Sequence, residues 1–408
     1  YKQSDVVVVN TCGFLASSEK ESMDTIDSMV ALKGQGRLKA VVVAGCLPQR
    51  YGAEFEKRLQ GVDAVLGITN RERIAEVCET ILEKSGAAAP VNLVSTDLPK
   101  YEIDRDRVRL TPRHTAYVRL SEGCDHTCAF CVIPQIRGKF RSKPMEVIVA
   151  EAEELARDGA REINLIAQDT TSYGLDLYKK LVLDELLAKL EAVKGVEWIR
   201  LLYCYPSYVT DRLIQEVARN PKIVKYVDMP VQHTRERMLR AMRRGVTEES
   251  QKELIRKWRD AVPGLTFRTT VIVGFPGETD EDFDGLLQDL RELRFERLGA
   301  FLYSREPGSR AEALEGHLPE EVKQARYAKV MQQQQEIAFA HNRAIVNKTV
   351  PVIVEKKLGK NRWEGRTAGD APDIDTMIAL HGNSTEVGAI TRARVTGFNV
   401  YDLIGDLV

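Results

Sequence analysis

The 408 residues are enough for two or three domains, each with a sizeable core. Lys plus Arg total 59 against 60 Asp plus Glu, a net charge of −1, which excludes a protein that grips nucleic acid through bulk positive charge and leaves only a local basic patch open. With 43% hydrophobic and 29% charged residues the composition is ordinary for a globular protein, and no apolar run approaches the roughly 20 residues of a membrane span.

The polar start at Tyr1 leads straight into an apolar run, so the chain is expected to begin inside a domain. Residues 5–10 read as a buried strand, 17–32 as an amphipathic helix, 40–44 as a second strand and 51–59 as a helix. A third strand at 62–68 precedes a helix at 71–84. Alternating strands and helices with β-branched runs imply an open parallel sheet covered on both faces. No G-x-G-x-x-G follows any of these strands, so a dinucleotide site has no support. Small residues at 85–90 open a polar connection, which divides the chain into a first domain at 1–85 and a linker at 86–112.

The alternation restarts and is longer. Strands are expected at 116–120, 162–168, 198–205, 226–231, 266–273 and 298–303, with helical patterns between them. Six β–α units in sequence predict an incomplete parallel barrel over 113–340, with functional residues at the C-terminal strand ends. Those ends carry Ser121-Glu-Gly-Cys124, Gln168-Asp-Thr-Thr171, Gln232-His233 and Gly274-Phe-Pro-Gly-Glu-Thr279. A long helix at 319–346 follows, and its glutamines at 332–335 read as a solvated face. Short apolar alternations and glycines over 341–408 predict a small all-β barrel. The fold class is therefore α/β, with an all-β end.

Seven cysteines, three of them within eight residues, do not form the pattern of a secreted disulfide scaffold. A reducing cytoplasm fits better. In Cys124-Asp-His-Thr-Cys128-Ala-Phe-Cys131, three thiolates on one tight loop suit three irons of a 4Fe–4S cube and leave the fourth iron open to a substrate's amino and carboxylate groups. Structural zinc with His126 as fourth ligand is the alternative. It would want a second, separate ligand pair, which is missing here.

The loop resembles the signature of the radical S-adenosylmethionine superfamily. With Ile133-Pro-Gln-Ile-Arg-Gly138 and Arg141-Ser-Lys-Pro144 the likeness narrows to its methylthiotransferases. Asn10-Thr-Cys12-Gly and Ala44-Gly-Cys46-Leu-Pro-Gln-Arg-Tyr51 resemble that family's N-terminal domain, and the last segment its TRAM domain. The resemblance implies two 4Fe–4S clusters and S-adenosylmethionine. One cluster would be held by Cys124, Cys128 and Cys131; the other by Cys12, Cys46 and a third cysteine upstream of this chain, so that the second cluster is expected to be labile here. Cys78 sits mid-helix on an apolar face with Ile74, Val77 and Ile81, and reads as core. Cys204 lies in an apolar strand and reads as packing.

For the cofactor pocket the candidates are Gln168, Asp169, Arg137, Gly274 and Gly277. Arg137 could pair with the cofactor carboxylate or bond loop carbonyls. The Gly274 turn could wall the pocket or be a plain βα turn with Thr279 as helix N-cap. His233 could orient its loop or touch a ligand.

Two branches of the family share this architecture. One modifies an adenosine of tRNA; the other methylthiolates the β-carbon of an aspartate in a small-subunit ribosomal protein at the decoding centre, with an electron donor such as a flavodoxin. Glu122-Gly-Cys-Asp-His, Gln168-Asp-Thr-Thr-Ser-Tyr-Gly174, Tyr203-Cys-Tyr-Pro206 and Ala371-Pro-Asp-Ile-Asp375 resemble the second. Charge points the same way: residues 341–408 hold nine Lys and Arg against eight Asp and Glu, too balanced for an RNA-gripping module. Asp370, Asp373 and Asp375 form an acidic loop that would suit a basic protein partner or simply be a solvated turn. A third reading, from another class, is a non-catalytic zinc-stabilised RNA-binding module.

Overall fold

The computed structural model describes residues 4–83, 91–95, 98, 101, 104–105, 107–382 and 385–408. The expected domain boundary at 85–90 lies outside the described residues. The chain divides into two compact units, one formed by residues 1–100, 123–140 and 304–314, the other by residues 101–122, 141–303 and 315–408.

Among the described residues the first unit has a parallel sheet of β1 (Val6–Thr11), β2 (Ala40–Gly45), β3 (Ala64–Leu66) and β4 (Val91–Leu93), in that order. Side chains of a strand alternate between faces. Val41 and Val43 pack with Ile26 and Met29 of helix α1 (Ala16–Gly34), while Val42 and Ala44 pack with Val77 on the other face. That is why β2 is apolar throughout. The helix expected at 51–59 instead starts at Cys46 and breaks into α2 (Cys46–Tyr51) and α3 (Ala53–Glu56) around Gly52, whose φ of 56° interrupts the helix. A 3₁₀ turn precedes α4 (Ile74–Glu83). β4 lies in the stretch read as linker; three residues at a sheet edge are too few for any periodicity to show.

The second unit starts with β5 (Thr115–Arg119) and the short pair β6 (Ser121–Glu122) and β7 (Arg141–Ser142). The excursion between them, which carries helix α5 (Ile133–Arg137), belongs to the first unit. Then follow α6 (Met145–Arg157), β8 (Glu162–Ile166), α7 (Leu183–Glu191), β9 (Trp198–Leu201), α8 (Asp211–Arg219), β10 (Ile223–Asp228), α9 (Glu236–Ala241), α10 (Glu248–Ala261), β11 (Thr266–Val273), α11 (Asp280–Leu293) and β12 (Arg297–Leu302). The sheet order β5-β8-β9-β10-β11-β12 follows the chain, and all pairs are parallel. This is the open six-unit barrel expected, its outer core filled by Leu, Ile and Val of strands and helices.

Helix α12 (Glu320–Ile345) leads into a closed barrel of β13 (Thr349–Gly359), β14 (Arg362–Thr367), β15 (Ile378–His381), β16 (Ile390–Asn399) and β17 (Asp402–Leu407). The glutamines of α12 correct the solvated reading. Gln333 and Gln334 are buried, and their amides donate to the carbonyls of Leu287 and Phe295 at 2.9 Å each. The small barrel packs on the N-terminal ends of the parallel strands. Ile353 and Ala371 meet Trp198 and Tyr226, and Arg366 of β14 reaches Glu162, the first residue of β8.

Candidate functional site

In the first unit β1 and β2 run in register, with Thr11 beside Gly45, so Cys12 and Cys46 leave adjacent strand ends. Two glycines make the approach close. A Cβ on Gly13 would stand 3.0 Å from the backbone of Cys46, and one on Gly45 (φ 109°) would stand 2.7 Å from the Thr11 carbonyl. The Thr11 hydroxyl donates to the Ala44 carbonyl at 2.8 Å. Cys12 is exposed and Cys46 half-buried. Two residues that sequence reasoning missed brace this edge. Arg50 donates to the Gly13 carbonyl at 2.8 Å, and Glu306 accepts from the Ala16 amide at 3.0 Å. Their side chains are almost wholly buried and lie 3.8 Å apart. Nothing local in the sequence marks Glu306: the Ser304 hydroxyl donates to it at 2.6 Å, but the partners that tie it to this edge, Ala16 and Arg50, are over 250 positions away.

The same unit contains the three-cysteine loop. The Cys124 amide donates to the Gly138 carbonyl at 3.1 Å, Cys131 to the Cys128 carbonyl at 3.1 Å, and Phe140 to the Asp125 carboxylate at 3.1 Å. Gly123 (φ 82°) lets the chain enter the loop, because a Cβ there would collide with the Lys139 carbonyl at 2.2 Å. Cys124 and Cys128 are buried, and Cys131 is half-buried. Arg137 ends α5, and its guanidinium donates to the Cys46 sulfur at 3.1 Å. The loop's short helix is thus tied to the cysteine of the neighbouring sheet. Cys78 packs against the β2–β3 face beside Ile74 and Ile81, and burial pushes its thiol pKa up.

In the second unit the C-terminal strand ends carry the other candidates. Gln168 follows β8. Asp169 is buried, with its carboxylate accepting from the Thr171 amide (2.8 Å), the Thr171 hydroxyl (2.7 Å) and both the amide and hydroxyl of Ser172. It shapes the turn. Tyr203, at φ 59°, and Gln232, at φ 69°, depart from strand geometry at the same level. Cys204 is buried, and burial raises its thiol pKa far above the usual range.

Gly274 and Gly277 both adopt positive φ, and a Cβ on Gly274 would meet Lys323 at 2.4 Å. Thr279 caps α11 with a reciprocal Asp282 bond, so the turn is a helix entry whatever else it does. Its centre is Glu278, another residue sequence reasoning passed over. The buried carboxylate meets His233 Nε2 at 3.1 Å and accepts from the Gly274 amide at 2.7 Å and from Arg326. His233 is wholly buried, and its Nδ1 accepts from the Arg235 amide at 3.1 Å. Both ring nitrogens are engaged in orienting the loop.

Residues 118–290 match the Radical SAM superfamily, residues 1–67 the uncharacterized protein family UPF0004, and residues 346–408 the TRAM domain. The chain is 42% identical to the ribosomal protein uS12 methylthiotransferase RimO of Geobacter sulfurreducens, over 100% of this chain and 91% of that protein. It is 43% identical to the protein of the same name from Pelotomaculum thermopropionicum, again over 100% and 91%. The chain belongs to the RimO family. The solved radical S-adenosylmethionine methyltransferase TsrM of Kitasatospora setae shares the fold, with a TM-score of 0.54 at 17% identity over 73% of this chain and 62% of that one.

RimO-family membership, with the Radical SAM match, implies an enzyme that uses a 4Fe–4S cluster and S-adenosylmethionine. The donors present fit such a group: three sulfurs on one closed loop, two of them shielded from water. Among the described residues no three His, Cys, Asp or Glu side chains converge on a point that a single ion could share. A cubane, by contrast, takes each thiolate on a different iron. The acidic loop needs correction. Asp370 is buried and holds Arg297 at 2.7 Å, and Asp375 accepts from the Tyr226 hydroxyl at 2.7 Å beside Arg268. Only Asp373 of the three is exposed, so the cluster is mostly internal glue. No helix among the described residues is long and apolar enough to cross a membrane.

Proposed function

We propose that this chain transfers a methylthio group to the β-carbon of an aspartate in ribosomal protein uS12, in the cytoplasm, with a flavodoxin-like protein as electron donor. The observation that carries the reading is its 40–43% identity, over essentially its whole length, to proteins named ribosomal protein uS12 methylthiotransferase. Cys124, Cys128 and Cys131 would hold the cluster of the radical-generating site, and Cys12 and Cys46 two ligands of a second, sulfur-bearing cluster. When bound, S-adenosylmethionine and the reduced radical-generating cluster would supply a 5′-deoxyadenosyl radical, with methionine released, able to take hydrogen from a carbon that no acid or base can activate. The chain's own residues close the loop around the thiols, and Gln168 after β8 and the Gly274–Thr279 turn after β11 would be the candidates for the S-adenosylmethionine pocket, because they follow the C-terminal ends of their strands. The division into domains at 1–85, 113–340 and 341–408 is part of the same proposal.

The test is incubation of the reduced, reconstituted protein with a peptide of the uS12 loop and, separately, with unmodified tRNA. Mass gain of one methylthio group on the peptide aspartate is expected. Gain on tRNA adenosine alone would sink the reading. Replacing Cys124 or Cys131 by Ala should remove one cluster's iron and sulfide and abolish reductive cleavage of S-adenosylmethionine, as measured by metal analysis and 5′-deoxyadenosine release.

A further inference from the structure

We infer that Arg137 is a positioning residue for the sulfur-bearing cluster, acting through the Cys46 thiolate rather than on the S-adenosylmethionine carboxylate. The inference rests on the proposal that Cys46 ligates that cluster. The guanidinium donates to the Cys46 sulfur at 3.1 Å. Its direction is set by the local chain. Arg137 is the last residue of α5, Ile136 beside it is buried, and Gly138 (φ 71°) turns the chain back so that its carbonyl receives the Cys124 amide at 3.1 Å. One short helix therefore follows Cys131 and delivers a permanent cation to a cysteine that lies 91 positions away in sequence.

A hydrogen bond from a cation to a cysteinyl sulfur withdraws charge from the sulfur. Reduction adds negative charge to a cluster, so the donor favours the reduced form and raises the potential. A cofactor-carboxylate role predicts something different: weaker binding of S-adenosylmethionine with no change at the second cluster.

The experiment compares wild type, Arg137→Met and Arg137→Lys in the reconstituted enzyme with the upstream third cysteine that the resemblance implies present, so that the second cluster has its full ligand set. Redox titration followed by electron paramagnetic resonance is run with Cys124, Cys128 and Cys131 all replaced by Ala, so that only the second cluster reports. The midpoint potential is expected to move negative in Arg137→Met and less far in Arg137→Lys, which keeps the charge but loses the fork. S-adenosylmethionine affinity, measured with the three cysteines intact, is expected to stay unchanged. A midpoint potential unmoved in both variants overturns the inference, as does a loss of about tenfold or more in S-adenosylmethionine affinity without a potential shift. The Lys variant carries the test if the Met variant fails to assemble. Iron analysis of Cys46→Ala separates the two levels. If it retains all its iron, the ligand proposal falls and this inference with it. If it loses a cluster while Arg137→Met leaves the potential unmoved, the inference alone falls.

Discussion

Glu278 joins three segments through one carboxylate: the Gly274 amide, the His233 ring and the Arg326 guanidinium all converge on it. Glu278→Ala leaves His233 and the Gly274 amide without this acceptor and Arg326 with only the exposed Asp280 carboxylate at 2.7 Å, so it should cost about 3 kcal/mol in chemical denaturation. A loss under about 1 kcal/mol would mean that Asp280 alone satisfies Arg326. Asp104 offers a pH test. Burial pushes its carboxyl up, but hydrogen bonds and charge from Arg119, with Lys143 behind, outweigh that and hold the pKa at about 2. A carboxylate depressed in the folded state stabilises above its unfolded pKa and loses that contribution as pH falls through the folded one. The stability gap between wild type and Asp104→Asn, about 2 kcal/mol near neutrality, should shrink from about pH 4 toward pH 2 in urea titrations. A gap that stays constant with pH would refute this assignment. At this scale the sequence showed the cysteines, because three thiols in eight residues are rare. It hid Glu278, Arg326, Arg50 and Glu306, since a lone charged residue looks the same on a surface as in a buried pair.

The elements were legible where their period was long. The six strand–helix units appear at their expected places, and Thr279 caps α11 as a helix entry should. Short pieces were not: β4, β6, β7 and α5 are set by what they pair with. The small barrel's seat also depends on distant partners. Glu162 at the head of β8 accepts from Arg200 of β9 at 3.0 Å and from Arg366 of β14, and all three side chains are essentially buried. Burial pushes the Glu162 carboxyl up, and the two guanidiniums more than reverse it. Glu162→Ala should therefore cost about 3–5 kcal/mol, and adding Arg366→Met should cost less than the sum of the two single changes. Additive losses in that double-mutant cycle would show that the ion pair does not couple the barrels.

For the whole molecule, the all-β segment covers part of the parallel sheet. Trp198, Leu202, Val224 and Tyr226 pack with Ile353 and Ala371, and Arg297 is neutralised by Asp370. Deleting residues 346–408 would expose that apolar cluster and take Arg366 from Glu162, the Ala368 carbonyl from Arg200 and Asp370 from Arg297, so the shortened protein should aggregate or melt at least about 5 °C lower in differential scanning calorimetry. Unchanged melting would show that the two parts are independent. The sequence by itself determined the α/β class, the six-unit alternation and the cysteine spacing, because those properties are local or periodic. Only the tertiary structure decided that Gln333 and Gln334 are buried, that Asp370 and Asp375 of the acidic loop are held by internal partners, and that Arg137 reaches Cys46. Each of these depends on groups brought together across tens to hundreds of positions, and no local pattern encodes such a meeting.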